Sequence, residues 1–290
     1  MHFAEVKGIL SGGNGMNLYR GCSHGCIYCD SRSKCYHIEH DFEDIEVKQN
    51  ALELLEEALK HKKKKCMIGT GAMTDPYIPL EYKLKMTRGA LELVDKYDFG
   101  ICLQTKSDRV LRDIDLLQKI NAKTKAVVQM TLTTLDEGLC KKLEPKVCGT
   151  KKRAAALKTL HEAGIPTVVW LSPILPFIND TKENISGILD MCIDAGVKGV
   201  ICFGMGVTLR EGDREYFYGK LDEHFPGLKE RYIKTYGNSY EVTSPDNAEL
   251  MRFFHRKCGK NGIMHHNDEI FGYLYTFEDK RMGEQLSFFD

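Results

Sequence analysis

The stretch that decides the fold is "MNLYRGCSHGCIYCD", residues 16–30, in which Cys22, Cys26 and Cys29 follow the spacing C-x3-C-x2-C. A structural zinc site usually brings four ligands, often as two separated C-x2-C pairs, and the chain has no second C-x2-C. An iron–sulfur cubane normally takes four cysteines as well. Three ligands in one loop leave a metal position open, as catalytic metal sites require. His24 or Cys35 could instead complete a zinc site, so zinc stays as an alternative.

Strands and helices alternate along the sequence that follows this loop. Helical patterns separate the apolar runs, so the sequence predicts parallel βαβ units. Either an open doubly wound sheet or a complete or partial β/α barrel fits this rhythm. The predicted strands occupy residues 66–71, 99–105, 125–133, 166–174 and 199–204, with a weaker first strand at 16–21.

The alternation stops near residue 205, and the remainder of the chain is richer in charged and aromatic residues. We therefore divide the chain into a core over 1–205 and a C-terminal extension over 206–290. The extension has one clear helical pattern, "SPDNAELMRFFHRKCGKNG", for which Ser244 is the expected N-cap and Pro245 the first residue.

Composition narrows the class of protein. The 290 residues include 41 Lys and Arg against 41 Asp and Glu, which speaks against a polycation that coats nucleic acid but leaves room for a local basic groove. The sequence has no secretory signal pattern and no apolar run long enough to span a bilayer, so we expect a cytoplasmic protein without membrane partners. Eleven cysteines in such a protein favour metal or redox chemistry over a disulfide scaffold.

The cysteine spacing, with Tyr28 directly before Cys29 and a strand before the loop, resembles that of the radical S-adenosylmethionine (SAM) superfamily. The resemblance covers about residues 16–205 and implies an α/β fold, a partial (β/α)6 TIM-like barrel. It also implies a 4Fe–4S cluster on Cys22, Cys26 and Cys29, whose open iron binds the amino and carboxylate groups of SAM. An electron from a flavodoxin or ferredoxin type donor would then cleave SAM to methionine and a 5′-deoxyadenosyl radical, which abstracts hydrogen from a substrate.

Side chains at the carboxyl ends of the predicted strands are the expected SAM contacts, because β/α barrels place their active sites there. Tyr28 would offer a flat face to the adenine, although packing beneath the loop is an alternative role. For Lys106 the alternative role is that of a solvated residue at a helix start. By the resemblance, the cofactor-binding residues are Tyr28, Gly69, Gly71, Thr74, Lys106 and Thr131.

A narrower resemblance is to the spore photoproduct lyase-like proteins, also called DNA repair photolyases. It rests on "NLYRGCSHGCIYCD", "GTGAMTDPYIPLE" (69–81), "TKSDRVLRDIDLL" and "LEPKVCGTKKRAAALKTLHEAGIPTVVWLSPILPFIND". The lyase reverses a thymine–thymine adduct in DNA, so the resemblance implies a nucleic-acid substrate. The lyase also has a hydrogen-donor cysteine after the second strand, whereas Gly69–Asp75 contains none. The alternatives are a radical SAM enzyme acting on a peptide or small metabolite, and a non-catalytic protein that binds zinc or a cluster.

The C-terminal hexapeptide "QLSFFD" contains a second resemblance. Residues Gln285–Phe289 are similar to the short peptide by which bacterial DNA polymerases and repair proteins dock on the sliding clamp. Leu286 and Phe289 would enter an apolar groove of the clamp, and a few such anchors must offset the entropy that a disordered tail loses. Alternatively, Phe288 and Phe289 fold back onto the barrel.

Overall fold

The structure is a computed structural model, and it describes residues 1–283. In this part of the chain the strands are β1 (His2–Ala4), β2 (Gly15–Met16), β3 (Tyr19–Arg20), β4 (Glu46–Lys48), β5 (Met67–Thr70), β6 (Gly100–Thr105), β7 (Ala126–Thr131), β8 (Thr167–Trp170), β9 (Gly199–Ile201), β10 (Gly206–Thr208) and β11 (Glu241–Thr243). The α-helices are α1 (Ala51–His61), α2 (Glu81–Leu84), α3 (Met86–Lys96), α4 (Ile114–Lys123), α5 (Glu137–Leu143), α6 (Thr150–Glu162), α7 (Lys182–Asp194), α8 (Asp213–His224), α9 (Leu228–Tyr236), α10 (Asn247–Lys260) and α11 (Asn267–Tyr275).

A six-stranded parallel sheet forms the centre of the described chain, in the order β2-β5-β6-β7-β8-β9. The strand order follows the chain, with helices in the crossovers, and this confirms the predicted partial barrel. The central strands are buried on both faces because one face packs on the helices and the other faces the barrel interior. On β6, for example, Ile101 and Leu103 pack in the main core, whereas Cys102 packs on the opposite face.

The predicted first strand at 16–21 is divided between two sheets. Gly15 and Met16 pair with β5, whereas Tyr19 and Arg20 pair antiparallel with β4. The chain changes sheets between the two, where the Leu18 carbonyl accepts from the Lys48 amide at 3.2 Å. The second sheet has the order β1-β4-β3 and leads directly into the cysteine loop.

The last α-helix of the described chain crosses the inner face of the sheet and reaches the amino ends of the strands. Ile270 and Leu274 of α11 pack against side chains of five strands, namely Met67, Cys102, Val127, Val168 and Ile201. The Lys125 ammonium donates to the carbonyls of Tyr273 and Thr276 at 2.8 and 3.2 Å. The opposite end of the barrel, at the carboxyl ends of the strands, is left for the site.

The C-terminal extension is more regular than its sequence indicates. Within its described part, residues 206–283, it holds the four α-helices α8 to α11 and the antiparallel pair of strands β10 and β11, where the sequence indicates one clear helix. The expected N-cap is also wrong, since α10 begins at Asn247 with Asp246 as its cap. Ser244 instead donates to Asp180 Oδ2 at 2.6 Å and accepts from the Asp246 amide. The division at residue 205 stays a prediction, and the proposed clamp peptide Gln285–Phe289 lies outside the described residues.

Short segments pair with both outer strands of the six-stranded sheet. Leu10 forms an antiparallel bridge with Met16 of β2, and Met264 forms a parallel bridge with Gly199 of β9. The Met264 carbonyl accepts from the Val200 amide at 2.9 Å, and its amide donates to the Lys198 carbonyl at 3.1 Å. Among the described helices, none combines the length and apolar character needed to cross a bilayer.

Candidate active site

The cysteine loop runs from β3 to a short 3₁₀ helix at Asp30–Arg32 and is anchored on both sides. The Cys22 amide donates to the Phe42 carbonyl at 2.9 Å, and the Ile27 amide donates to the Leu143 carbonyl at 3.0 Å. Gly21 has a φ of +80°, and a Cβ there would lie 2.5 Å from the Phe42 oxygen, so this turn requires glycine. The loop therefore has a fixed path between segment 40–46 and the end of α5.

The three thiols of the loop are farther apart than the ligands of a tetrahedral zinc ion would be. Tetrahedral zinc holds sulfur ligands about 3.8 Å apart, since each Zn–S bond is about 2.3 Å. Among the described residues, Cys22, Cys26 and Cys29 do not form a group whose sulfur atoms all lie within 4.8 Å of one another. The two residues that could complete a zinc site have other partners: His24 Nδ1 lies 3.4 Å from Asp75 Oδ2, and Cys35 is exposed and accepts from Arg210. The donor set fits an iron–sulfur cluster better, because the cluster's own atoms separate its ligands.

A cavity of about 500 Å³ opens beside the loop at the carboxyl end of the barrel. Cys26, Tyr28 and Cys29 line one wall, with Ala72 and Lys106 from the loops after β5 and β6. The size lies within the range of small-molecule sites. The rest of the lining includes Trp170, Ser172, Phe203, Asn247 and residues of β10 and β11.

Lys106 provides the positive charge at this cavity. Its ammonium nitrogen lies 5.8 Å from the centroid of the Tyr28 ring. Burial by itself lowers the pKa of Lys106, but Cys26, Glu144, Cys29 and Asp75 raise it, and the net pKa is above the ordinary value. Lys106 therefore stays protonated beside the thiols, and its ammonium group can pair with an anionic group in the cavity.

Asp75 connects three segments of the site, and sequence reasoning gave it no role. Its carboxylate accepts from the Tyr77 amide at 2.8 Å, the Thr105 hydroxyl at 2.7 Å and the Lys106 amide at 2.6 Å. Since His24 also lies beside it, Asp75 joins the loop after β5 to the end of β6 and to the cysteine loop. An aspartate directly before Pro76, in a glycine-rich segment after a strand, is the sequence signal for this role.

Glu144 is the second residue that sequence reasoning missed. It accepts from the hydroxyl of Tyr28 and from the guanidinium of Arg153, and both of these partners are buried. Arg153 in turn donates to the Thr131 carbonyl at 2.7 Å. Burial alone raises the pKa of Glu144, but Arg153 and Lys106 lower it below the ordinary value, so the pair is ionised. This network fixes the edge of Tyr28 that points away from the cavity.

The predicted SAM residues separate into two groups. Tyr28 and Lys106 line the cavity, whereas Gly69, Gly71, Thr74 and Thr131 are not among its described lining residues. Thr74 is buried and donates to the Tyr19 carbonyl at 3.2 Å.

The two glycines also differ. A Cβ on Gly71 would lie 1.9 Å from the Gln104 carbonyl oxygen, whereas a Cβ on Gly69 would meet nothing within 4 Å. Packing therefore explains Gly71 without a ligand, and the SAM contacts stay predictions.

Comparison with known proteins identifies the family to which this geometry belongs. The family model for the radical SAM superfamily matches residues 16–191, more than half of the chain. The chain belongs to the radical SAM superfamily. Members of this superfamily use SAM and an iron–sulfur cluster, and the three thiols and the adjacent cavity fit that pair of cofactors. The general class of this protein is therefore that of the radical SAM enzymes.

Relatives of this radical SAM protein support the same fold. An uncharacterized protein of Methanocaldococcus jannaschii is 36% identical over 169 residues, which are 58% of this chain and 62% of that protein. The fold is similar to that of a spore photoproduct lyase variant, with a TM-score of 0.66, 14% identity and coverage of 91% of this chain and 80% of the other. A spore photoproduct lyase with bound AdoMet and dinucleoside spore photoproduct has a TM-score of 0.62, 15% identity and coverage of 86% and 74%.

Proposed function

We propose that this radical SAM protein cleaves SAM reductively with a 4Fe–4S cluster and abstracts hydrogen from a nucleic-acid substrate, in a lyase-like DNA repair reaction. The observation behind this proposal is the single cavity that joins Cys26 and Cys29 to an exposed aromatic surface. When bound, the cluster and SAM supply the radical that takes a hydrogen atom from the substrate. The protein itself has to hold both cofactors, orient the substrate and exclude water.

Cys22, Cys26 and Cys29 are the proposed cluster ligands. The loop holds all three on a backbone whose path is set by the Cys22 and Ile27 amides, so the ligands are oriented before the cluster binds. Lys106 would pair with the carboxylate of SAM, and Tyr28 would lie against its adenine. Asp75 would hold the Lys106 backbone through the amide bond of 2.6 Å.

The aromatic surface supports a nucleobase as the substrate group. Phe203 is 63% exposed, and its ring centroid lies 6.0 Å from those of Trp170 and Phe271. Stacking of a base on an aromatic side chain is worth about 1–3 kcal/mol. Because SAM would occupy much of a cavity of about 500 Å³, a polymer would bring one base to its mouth and leave the neighbouring nucleotides on the aromatic surface.

The remaining parts of the proposal concern partners and the hydrogen donor. A flavodoxin or ferredoxin type protein would supply the electron in the cytoplasm, and Gln285–Phe289 would recruit a bacterial sliding clamp.

Within the described lining of the cavity, the cysteines are Cys26 and Cys29. Ala72 lines it where a donor cysteine would follow the second strand, so the donor differs from that of the lyase.

Anaerobic reconstitution with iron and sulfide tests the chemistry. We expect the absorption spectrum of a 4Fe–4S cluster and, with dithionite and SAM, release of 5′-deoxyadenosine. Cys29→Ala should lose both. One bound zinc on these cysteines with no cleavage of SAM would overturn the proposal.

A second experiment tests the substrate class. Base-deuterated oligonucleotides are supplied as DNA with thymine–thymine adducts, as undamaged DNA and as RNA, and the adduct-containing DNA should transfer deuterium into 5′-deoxyadenosine. Phe203→Ala should weaken oligonucleotide binding roughly 5- to 150-fold, the equivalent of one stacked base. Tyr82→Ala, which removes an aromatic ring that is 72% exposed on α2, is the matched control. Transfer from peptides or small metabolites but not from oligonucleotides would refute the nucleic-acid substrate.

A further inference from the structure

Three side chains from separate segments meet on the outer side of the β1-β4-β3 sheet. His2 of β1 and Glu46 of β4 are register partners in parallel strands, and His40 approaches them from the loop before β4. One ligand atom from each residue lies within 4.8 Å of the other two. Within residues 1–283 this is the one group of three His, Cys, Asp or Glu residues with that arrangement.

The imidazole of His40 has its hydrogen-bonding state set by the backbone. Its Nδ1 lies 2.9 Å from the Asp41 carbonyl oxygen, which can only accept, so Nδ1 carries a proton and, in the neutral imidazole, the lone pair is on Nε2. The His40 Nε2 atom is buried and has no hydrogen-bond partner within the described chain. Buried polar atoms are normally paired, and an Nε2 atom without a partner, beside a second imidazole and a carboxylate, is in position to bind a cation.

In the imidazole of His2, Nδ1 is likewise the donor nitrogen. This Nδ1 lies 2.9 Å from Asp44 Oδ2, and a carboxylate likewise accepts, so in the neutral imidazole the lone pair is on Nε2. That Nε2 lies 3.8 Å from Glu46 Oε2. Metal-bound histidines characteristically donate their second ring N–H to a carboxylate or a backbone carbonyl, and here Asp44 and Asp41 are these acceptors.

We propose that His2 and His40, through Nε2, and Glu46, through its carboxylate, bind a divalent transition metal, for which zinc is the best match. Two histidines and one glutamate are an established zinc ligand set, with a fourth position open to water. Tetrahedral Zn–N bonds of about 2.0–2.1 Å place ligand atoms about 3.3 Å apart, so the ligands close inward on binding. A small shift of the side chains suffices, because His2 and its partner Asp44 are each 41% exposed and can move together.

The location of the metal gives it a structural role behind the cysteine loop. His40 precedes Phe42, whose carbonyl accepts from the Cys22 amide at 2.9 Å. A Cβ on Gly21 would lie 3.6 Å from His40 Cε1, so the imidazole is in near contact with the start of the loop. A metal at this position ties β1 and β4 to the segment that supports the first cysteine, and the binding itself is independent of the proposed enzymatic activity.

Zinc alone is the probe, and the test uses the full chain with its cluster reconstituted so that the loop cysteines are occupied. After dialysis against trace zinc, elemental analysis should find one zinc per chain in addition to iron. X-ray absorption at the zinc edge should show nitrogen and oxygen ligands without sulfur. His40→Gln and His2→Gln should each lose this zinc, whereas His61→Gln, an exposed histidine at the end of α1, should retain it.

Melting temperatures separate loss of the ligand from loss of the fold. In a chelator, wild type and His2→Gln should melt together, and added zinc should raise only the wild-type value. Wild-type protein that retains no zinc, sulfur ligands in the absorption data, or equal zinc in wild type and His40→Gln would each overturn the proposal. If His40→Gln does not fold, His2→Gln decides the question, because its side chain is on the surface.

Discussion

Glu144→Gln is the perturbation for which the structure gives the firmest magnitude. The substitution keeps the size and one acceptor oxygen of the side chain and removes only its charge. Arg153 would then be a fully buried guanidinium whose remaining bonds, to the Thr131 carbonyl at 2.7 Å and to Cys140 Sγ at 3.1 Å, are made with uncharged partners. Removal of one member of a buried ion pair typically costs 3–5 kcal/mol, since the other charge stays desolvated.

We therefore expect Glu144→Gln to lower the free energy of unfolding by about 3–5 kcal/mol. For a domain of this size class, that loss corresponds to a fall in melting temperature of roughly 6–20 °C. Circular dichroism during thermal and urea unfolding measures both quantities. Glu162→Gln, at an exposed position of α6, is the matched control and should change stability by less than about 0.5 kcal/mol.

The double variant distinguishes an unpaired charge from lost packing. Glu144→Gln combined with Arg153→Gln removes both charges and leaves two amides that can bond to each other. We expect the double variant to be more stable than the sum of the two single losses in unfolding free energy predicts. Each single variant leaves one buried charge without its partner, whereas the double variant leaves none. A single-variant cost below about 1 kcal/mol, or strict additivity in the double variant, would refute this account of the network.

Three further predictions address the site and its surroundings. Cys35→Ala should leave cluster content and SAM cleavage intact, because Cys35 is exposed and contacts Arg210; loss of the cluster in this variant would show that our ligand assignment is wrong. Lys106→Met should weaken SAM affinity by roughly 10- to 150-fold, the worth of a charge-assisted hydrogen bond, with the cluster still assembled, and unchanged affinity in equilibrium dialysis would exclude that contact. Burial raises the pKa of Asp213 to about 6, so the folded state binds this proton more tightly than the unfolded state does. The free energy of unfolding should therefore fall as the pH rises from about 4 to about 6, and should level off above that. Asp213→Asn keeps the acceptor for the Arg210 amide and should abolish this fall, which the urea midpoint as a function of pH will measure.

The core of the fold was predictable from sequence because its strands are strongly patterned. Runs such as residues 125–133 hold many apolar residues and no exposed charged face, and a buried parallel strand is the simplest structure that satisfies them. The cysteine spacing is local, so it could be recognised without tertiary information. The helices α8 and α9 were missed because their aromatic and charged residues follow no clear apolar stripe, and their packing depends on Tyr232 and Phe217 meeting a separate cluster below the cysteine loop.

The roles of the residues that support the site could not be predicted from the sequence, for a different reason. Asp75 and Glu144 bond to residues that are distant in sequence, including Thr105 for Asp75 and Tyr28 for Glu144. Their side-chain types alone suggest solvent exposure, and only the fold shows that each is surrounded by donors. His2, His40 and Glu46 are likewise scattered, and no spacing in the sequence predicts that they meet.

The bridges of Leu10 and Met264 on the outer strands have a consequence for the behaviour of the protein in a crowded solution. A closed barrel has no sheet edge, whereas an open one presents two rows of unpaired amides and carbonyls that can template aggregation. Here Leu10 pairs with Met16 at one edge, and Met264 pairs with Gly199 at the other. A short segment from outside the sheet thus pairs with each margin, and the barrel can stay open with fewer unpaired backbone groups available for strand exchange between neighbouring molecules.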